Sequence, residues 1–133
     1  AMARLGIVAS RREAFDRYLD TPDFQEMEKG RKPSAQRCVE TIKAAGGKAS
    51  LAHPYQIVLG GDRLEDLVER LIGYGLDAVE CCYPQHTEEQ RAEYLPLARR
   101  YGLHVTGGSD FHGEKNKPDN PLAAWELDID WLI

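Results

Sequence analysis

Apolar positions in this chain fall into short blocks whose spacing alternates between a helical and a strand-like period from residue 34 onward. Ser34 is suited to cap a helix, and Ala35, Cys38, Val39, Ile42 and Ala45 follow it at helical spacing. Gly46-Gly47 supplies the stop, because glycine takes the left-handed conformation common at helix C-termini. Lys48 to Ala52 then reads as a short strand, ended by His53-Pro54, since proline neither donates to a ladder nor extends a helix. Asp62 and Glu65 open a second helix with Leu64, Leu67, Val68, Leu71 and Ile72 as its apolar stripe, and Gly73 to Gly75 closes it. Asp77 to Cys82 is the second predicted strand. Thr87 with Gln90 three residues later has capping-box spacing, and the helix it opens runs to about Tyr101. Leu103 to Thr106 is the third strand, leading into Gly107-Gly108-Ser109-Asp110-Phe111-His112-Gly113, and Ala124 to Ile129 is expected as a last strand.

The chain before residue 34 lacks this alternation. Ser10-Arg11-Arg12-Glu13 has capping-box spacing, so a helix is expected from Arg11, burying Ala14, Phe15, Tyr18 and Leu19. Asp20 to Pro33 is polar and aperiodic and reads as a loop. Strand–helix alternation implies an α/β fold with a parallel sheet covered by helices. In such sheets, chemistry gathers at the C-terminal ends of the strands. His53 follows the first strand, and Asp110 and His112 follow the third, so two unlike loops are expected to face one space.

Asp110 and His112 offer a carboxylate and an imidazole two residues apart in a glycine-flanked turn. Mixed oxygen and nitrogen donors suit zinc, manganese or iron better than calcium. The competing reading is a turn-capping Asp110 beside an exposed His112, and spacing alone does not separate the two. His53 taken alone reads as a partly buried histidine bonded to a carbonyl; beside Asp110 and His112 on the same edge, it reads as a metal ligand. His86 precedes the helix cap at Thr87, where an anion is attracted, and is either a phosphate contact or a solvated residue. Glu80 interrupts an apolar strand, where an unpaired carboxylate is costly, so it pairs with a neighbour or a substrate or faces a polar side.

Composition narrows the classes of function. The chain has 133 residues, 42% hydrophobic and 29% charged, as in ordinary globular domains. A net charge of −5 argues against an extended nucleic-acid surface and leaves room for a small phosphorylated substrate held through a cation. Three cysteines, Cys38, Cys81 and Cys82, include an adjacent pair and make no disulfide framework, which favours a reducing cytoplasm. No apolar run approaches the roughly 20 residues that span a membrane.

Leu51-Ala52-His53-Pro54 and Gly108-Ser109-Asp110-Phe111-His112-Gly113 resemble the last two metal-binding motifs of the PHP (polymerase and histidinol phosphatase) family of phosphoesterases. Gly75 to Glu80 with Tyr83 and His86 resembles the segment between them. Ala14 to Leu19 is similar to a helical insertion in the branch of nucleoside 3′,5′-bisphosphate phosphatases and 5′-3′ oligoribonucleases, and the tail Lys115 to Asp119 is also similar to that branch. The resemblance implies that residues 1–33 are part of that insertion. Residues 34–133 would form the C-terminal part of a distorted (β/α)7 barrel.

It further implies His53, Asp110 and His112 as catalytic metal ligands, up to three divalent ions (Mn, Zn, Fe or Mg), and water attacking phosphorus. The implied substrate is a nucleotide bisphosphate or short RNA, and His86, Ser109, Glu80, Arg17 and Lys117 are the candidates for contacting it. The family's His-x-His opening motif and its other early ligands are absent. The chain is therefore expected to supply part of a site and to bind metal weakly alone. It is expected to associate with its missing N-terminal half or with itself. A non-catalytic metal- or phosphate-binding module and an amidohydrolase-type metallohydrolase are the alternatives.

Overall fold

The computed structural model describes residues 1–114, 122–123 and 125–133 and divides the chain into two units, Ala1–Ser34 and Ala35–Ile133.

In the first unit, α1 (Arg11–Ala14) starts where its cap predicts. The Ser10 hydroxyl accepts from the Glu13 amide at 3.0 Å, and the Glu13 carboxylate reaches back to the Ala9 amide at 2.7 Å. The helix then widens into a π-turn over Phe15–Leu19 instead of continuing regularly. Of the four residues expected to be buried, Ala14 is buried and Leu19 half-buried, while Phe15 and Tyr18 are exposed. Arginines cover those two rings instead: Arg11 sits 5.9 Å from the Phe15 centroid and Arg17 5.4 Å from that of Tyr18. Part of the expected loop over residues 20–33 is helical, α2 (Pro22–Glu28). Thr21 caps it by accepting from the Phe24 amide, and Pro22 occupies the first turn, where its missing N–H costs nothing.

The second unit is built around three parallel strands, β1 (Ser50–Leu51), β2 (Ala78–Cys82) and β3 (His104–Gly107), in that spatial order. Ser50 pairs with Ala78, which pairs with His104, and the β2–β3 register shifts between Glu80 and Cys82. Helix α3 (Ala35–Ala44) leads into β1, while α4 (Leu64–Tyr74) joins β1 to β2 and α5 (Glu88–Arg100) joins β2 to β3. Strand alternation sorts the side chains. Leu51, Val79, Cys81 and Val105 meet Leu64, Val68, Tyr94, Leu97 and Ala98 of α4 and α5 in one apolar core. On the other face stand Ser50 and Thr106, whose hydroxyls lie 2.8 Å apart, together with Glu80. A smaller core joins Val39, Ala49, Leu71 and Leu76. Val39 is the one residue of the α3 stripe that is buried.

Asp77 ties the start of β2 to β1 and α3. Its carboxylate accepts from the Ala49 amide at 2.7 Å and from Lys43 Nζ at 2.6 and 2.8 Å. Burial works to raise this carboxyl, but the Lys43 and Ala49 hydrogen bonds and the Lys43 charge win, and it sits below the usual carboxylate range. The expected last strand does not form among the described residues. Ala124 lies outside them, 125–129 is irregular, and a 3₁₀ turn follows at Asp130–Leu132. Asp128 bends the chain there by accepting from the Asp130 amide through its carboxylate and from Trp131 Nε1 through its carbonyl. Trp131 stacks flat on His104, with centroids 4.4 Å apart.

Candidate active site

Parallel pairing places the C-terminal ends of all three strands along one edge. His53 lies just past β1, Tyr83 and His86 past β2, and Asp110 past β3. Among the described residues, His53 (φ 29°) and Asp110 (φ 51°) are the non-glycine residues in the left-handed region. Such a conformation costs about 1–3 kcal/mol at a residue with a Cβ and persists where surrounding contacts enforce it.

Those contacts come from β2 and its extension. The Glu80 carboxylate accepts the His53 backbone N–H at 2.5 Å through Oε2. Its other oxygen lies 3.3 Å from where a Cβ on Gly108 would sit. Tyr83, fully buried, donates its hydroxyl to Asp110 Oδ2 at 3.3 Å, and its ring centroid is 6.1 Å from that of His53. Glu80 and Tyr83 therefore link the β1 turn and the β3 turn to one strand end.

Glycine at 107 is dictated by the same close approach: a Cβ there would fall 2.7 Å from Cys82 Cβ and 2.8 Å from the Cys82 carbonyl oxygen. Asp110 and His112 lie against each other in this turn, with His112 exposed. His112 Nδ1 is 2.6 Å from the Asp110 carbonyl oxygen and 3.3 Å from Asp110 Oδ1. The first contact fixes which ring nitrogen faces the backbone, as is common for histidines that ligate through the other.

The remaining expected site residues are placed differently. His86 is buried, not solvated. Its Nδ1 lies 3.1 Å from the Cys81 carbonyl oxygen, and Tyr55, Tyr83 and Tyr94 surround its ring at 5.1–5.4 Å. Its Nε2 is buried with no hydrogen-bond partner among the described residues. Ser109 is also buried. Arg17 belongs to the first unit, where it pairs with Glu13 and packs on Tyr18. Lys117 and the 115–119 tail lie outside the described residues. Cys81 is a core residue: burial, then the neighbouring Cys82 and Glu80, push its thiol up to about 12.

Imidazole and carboxylate are donors that first-row divalent ions accept. Yet among the described residues no group of three or more His, Cys, Asp or Glu side chains converges to hold an ion. The donor chemistry fits a metal, and the number of donors brought together does not close a centre.

No family model matches the chain. It is 44% identical over 80 residues to phosphoribosyl 1,2-cyclic phosphate 1,2-diphosphodiesterase of Eggerthella lenta, covering 60% of this chain and 29% of that one. It is 33% identical over 113 residues to the 5′-3′ exoribonuclease of Haemophilus influenzae, covering 84% and 40%. To the 3′,5′-nucleoside bisphosphate phosphatase of Chromobacterium violaceum it is 31% identical over 107 residues, covering 80% and 37%. The crystal structure of a Bifidobacterium adolescentis protein put forward as a metal-dependent phosphoesterase superposes with a TM-score of 0.66 at 28% identity, covering 97% of this chain and 44% of that one. The chain thus spans less than half the length of these relatives.

Proposed function

We propose that this chain, which belongs to the PHP family and is related within it to 5′-3′ exoribonucleases and 3′,5′-nucleoside bisphosphate phosphatases, supplies the His53, Asp110 and His112 side of a phosphoesterase centre. The observation that supports this most is the convergence of strain and chemistry: among the described residues, the two non-glycine residues held in left-handed backbone are the histidine and the aspartate of the two motifs. Backbone strain is characteristic of sites where side-chain direction matters more than stability.

In this reading the three-stranded sheet is the C-terminal part of a larger barrel, and further donors complete the ligand set. His53, Asp110 and His112 would contribute to holding a divalent ion, whose chemistry there would be neutralisation of charge on phosphoryl oxygens. The protein's own groups do the rest. Asp110 brings anionic charge, its backbone carbonyl orients the His112 ring, and His53 is turned by its held amide. The substrate is a nucleoside bisphosphate or a short oligoribonucleotide, a reading supported by the 3′,5′-nucleoside bisphosphate phosphatase and the 5′-3′ exoribonuclease among the relatives. A reducing cytoplasm suits the three free thiols.

The test is phosphate release from a nucleoside 3′,5′-bisphosphate, and nucleotide release from a short RNA, by the full-length protein with and without manganese. Chelation and Asp110→Asn are each expected to lower turnover by at least about a hundredfold, the upper end of what losing a mere outer contact costs. Turnover indifferent to both refutes the assignment.

A further inference from the structure

We propose that Tyr83 and Glu80 are positioning residues: the end of β2 acts as one brace that aims both the Asp110 carboxylate and the His53 turn. The inference rests on the reading that His53 and Asp110 hold a divalent ion.

Each left-handed residue is secured by one contact from this brace. The His53 amide donates to Glu80 Oε2 at 2.5 Å, and the Tyr83 hydroxyl donates to Asp110 Oδ2 at 3.3 Å. The brace is itself immobilised. Tyr83 has no exposed surface, and the rings of His86 and Tyr55 stand 5.2 and 5.4 Å from it. His86 is pinned in turn to the Cys81 carbonyl of β2. A hydroxyl carried on so immobile a ring favours one orientation of the Asp110 carboxylate, and with it the direction its lone pairs face. Hydrogen bonds of this outer kind set ligand orientation and carry much of a site's metal affinity.

Burial keeps Tyr83 away from any substrate, so its part is played through Asp110. Glu80 serves the other turn: by accepting the His53 amide it holds a backbone conformation that the residue avoids when unrestrained. This gives the carboxylate in an otherwise apolar strand a defined use, which is a partner for a backbone donor at the site.

The experiment measures manganese affinity calorimetrically in the full-length protein for the parent, Tyr83→Phe, Glu80→Gln and Asp110→Asn, with thermal melts of each in the metal-free state. Tyr83→Phe keeps the ring and removes the donor, so the melt should stay at the parent value while manganese binds about tenfold more weakly. Glu80→Gln keeps the volume and weakens the acceptor; it should also lower affinity and speed hydrogen exchange of the His53 amide. The Glu80→Gln readouts decide the matter if Tyr83→Phe does not fold. Parent affinity in Tyr83→Phe together with a loss in Asp110→Asn overturns the brace and leaves the metal assignment standing. Parent affinity in Asp110→Asn overturns the metal assignment, and the brace with it.

Discussion

Gly107 shows how little room the site's residues have. Any β-carbon at this position meets Cys82 Cβ and the Cys82 carbonyl oxygen at distances that real contacts do not reach, so strand β3 must move away from β2. Gly107→Ala is expected to lose about 1–3 kcal/mol, the usual cost of overpacking, and to lower the melting temperature in a thermal scan. Gly108→Ala, 3.3 Å from Glu80 Oε1, is expected to cost less, since a carboxylate oxygen yields more easily than backbone. At this scale residue type alone singles out His53, Asp110 and His112, as a histidine before a proline and an Asp-x-His turn between glycines. Tyr83 was not legible in that way. An aromatic residue one step past a strand is indistinguishable by pattern from core, and its hydroxyl's partner lies 27 positions away. His86 was misjudged in its solvated reading because proximity to a helix cap says nothing about the three tyrosines that fold over it.

Between elements, the Asp77 contact joins α3, β1 and β2 and makes the sheet's start sensitive to pH. A carboxyl whose folded pKa lies below its unfolded value stabilises the fold above the unfolded value of about 4, and that stabilisation is lost as pH falls through the folded value. Asp77→Asn should therefore cost about 1 kcal/mol at neutral pH, allowing for partial exposure of the pair. Chemical denaturation of the two proteins should give converging stabilities as pH drops below about 4; a gap that persists in acid would contradict this. Elements with strong periodicity and caps were readable in advance. Strands β2 and β3 and helices α4 and α5 lie within about two residues of expectation, the usual uncertainty of element ends, and the Thr87–Gln90 box is made as written. Helix α2 was missed because its signal is all at the start, in Thr21-Pro22-Asp23, and a polar surface helix has no apolar stripe to follow. The expected strand near residue 125 failed for the opposite reason. Alternation is present, but Asp128 bonds locally and turns the chain before any ladder forms.

Taken whole, the Ala35–Ile133 unit has a two-sided economy. One face of its sheet is sealed by helices, and the other carries Ser50, Glu80 and Thr106. Three donors on two turns, with no closed ligand group among the described residues, lead to a clear expectation for the 133-residue chain by itself. With manganese present, phosphate release should be near background and far below that of the full-length protein; comparable turnover would show that the described donors suffice. The left-handed backbone at His53 and Asp110 has a consequence for variation over generations. Asparagine tolerates that conformation nearly as well as aspartate, and glycine adopts it freely. A lineage relieved of its chemistry would gain stability by drifting to glycine at both positions, so a homologue that keeps the imidazole and the carboxylate there is still being selected for what they do.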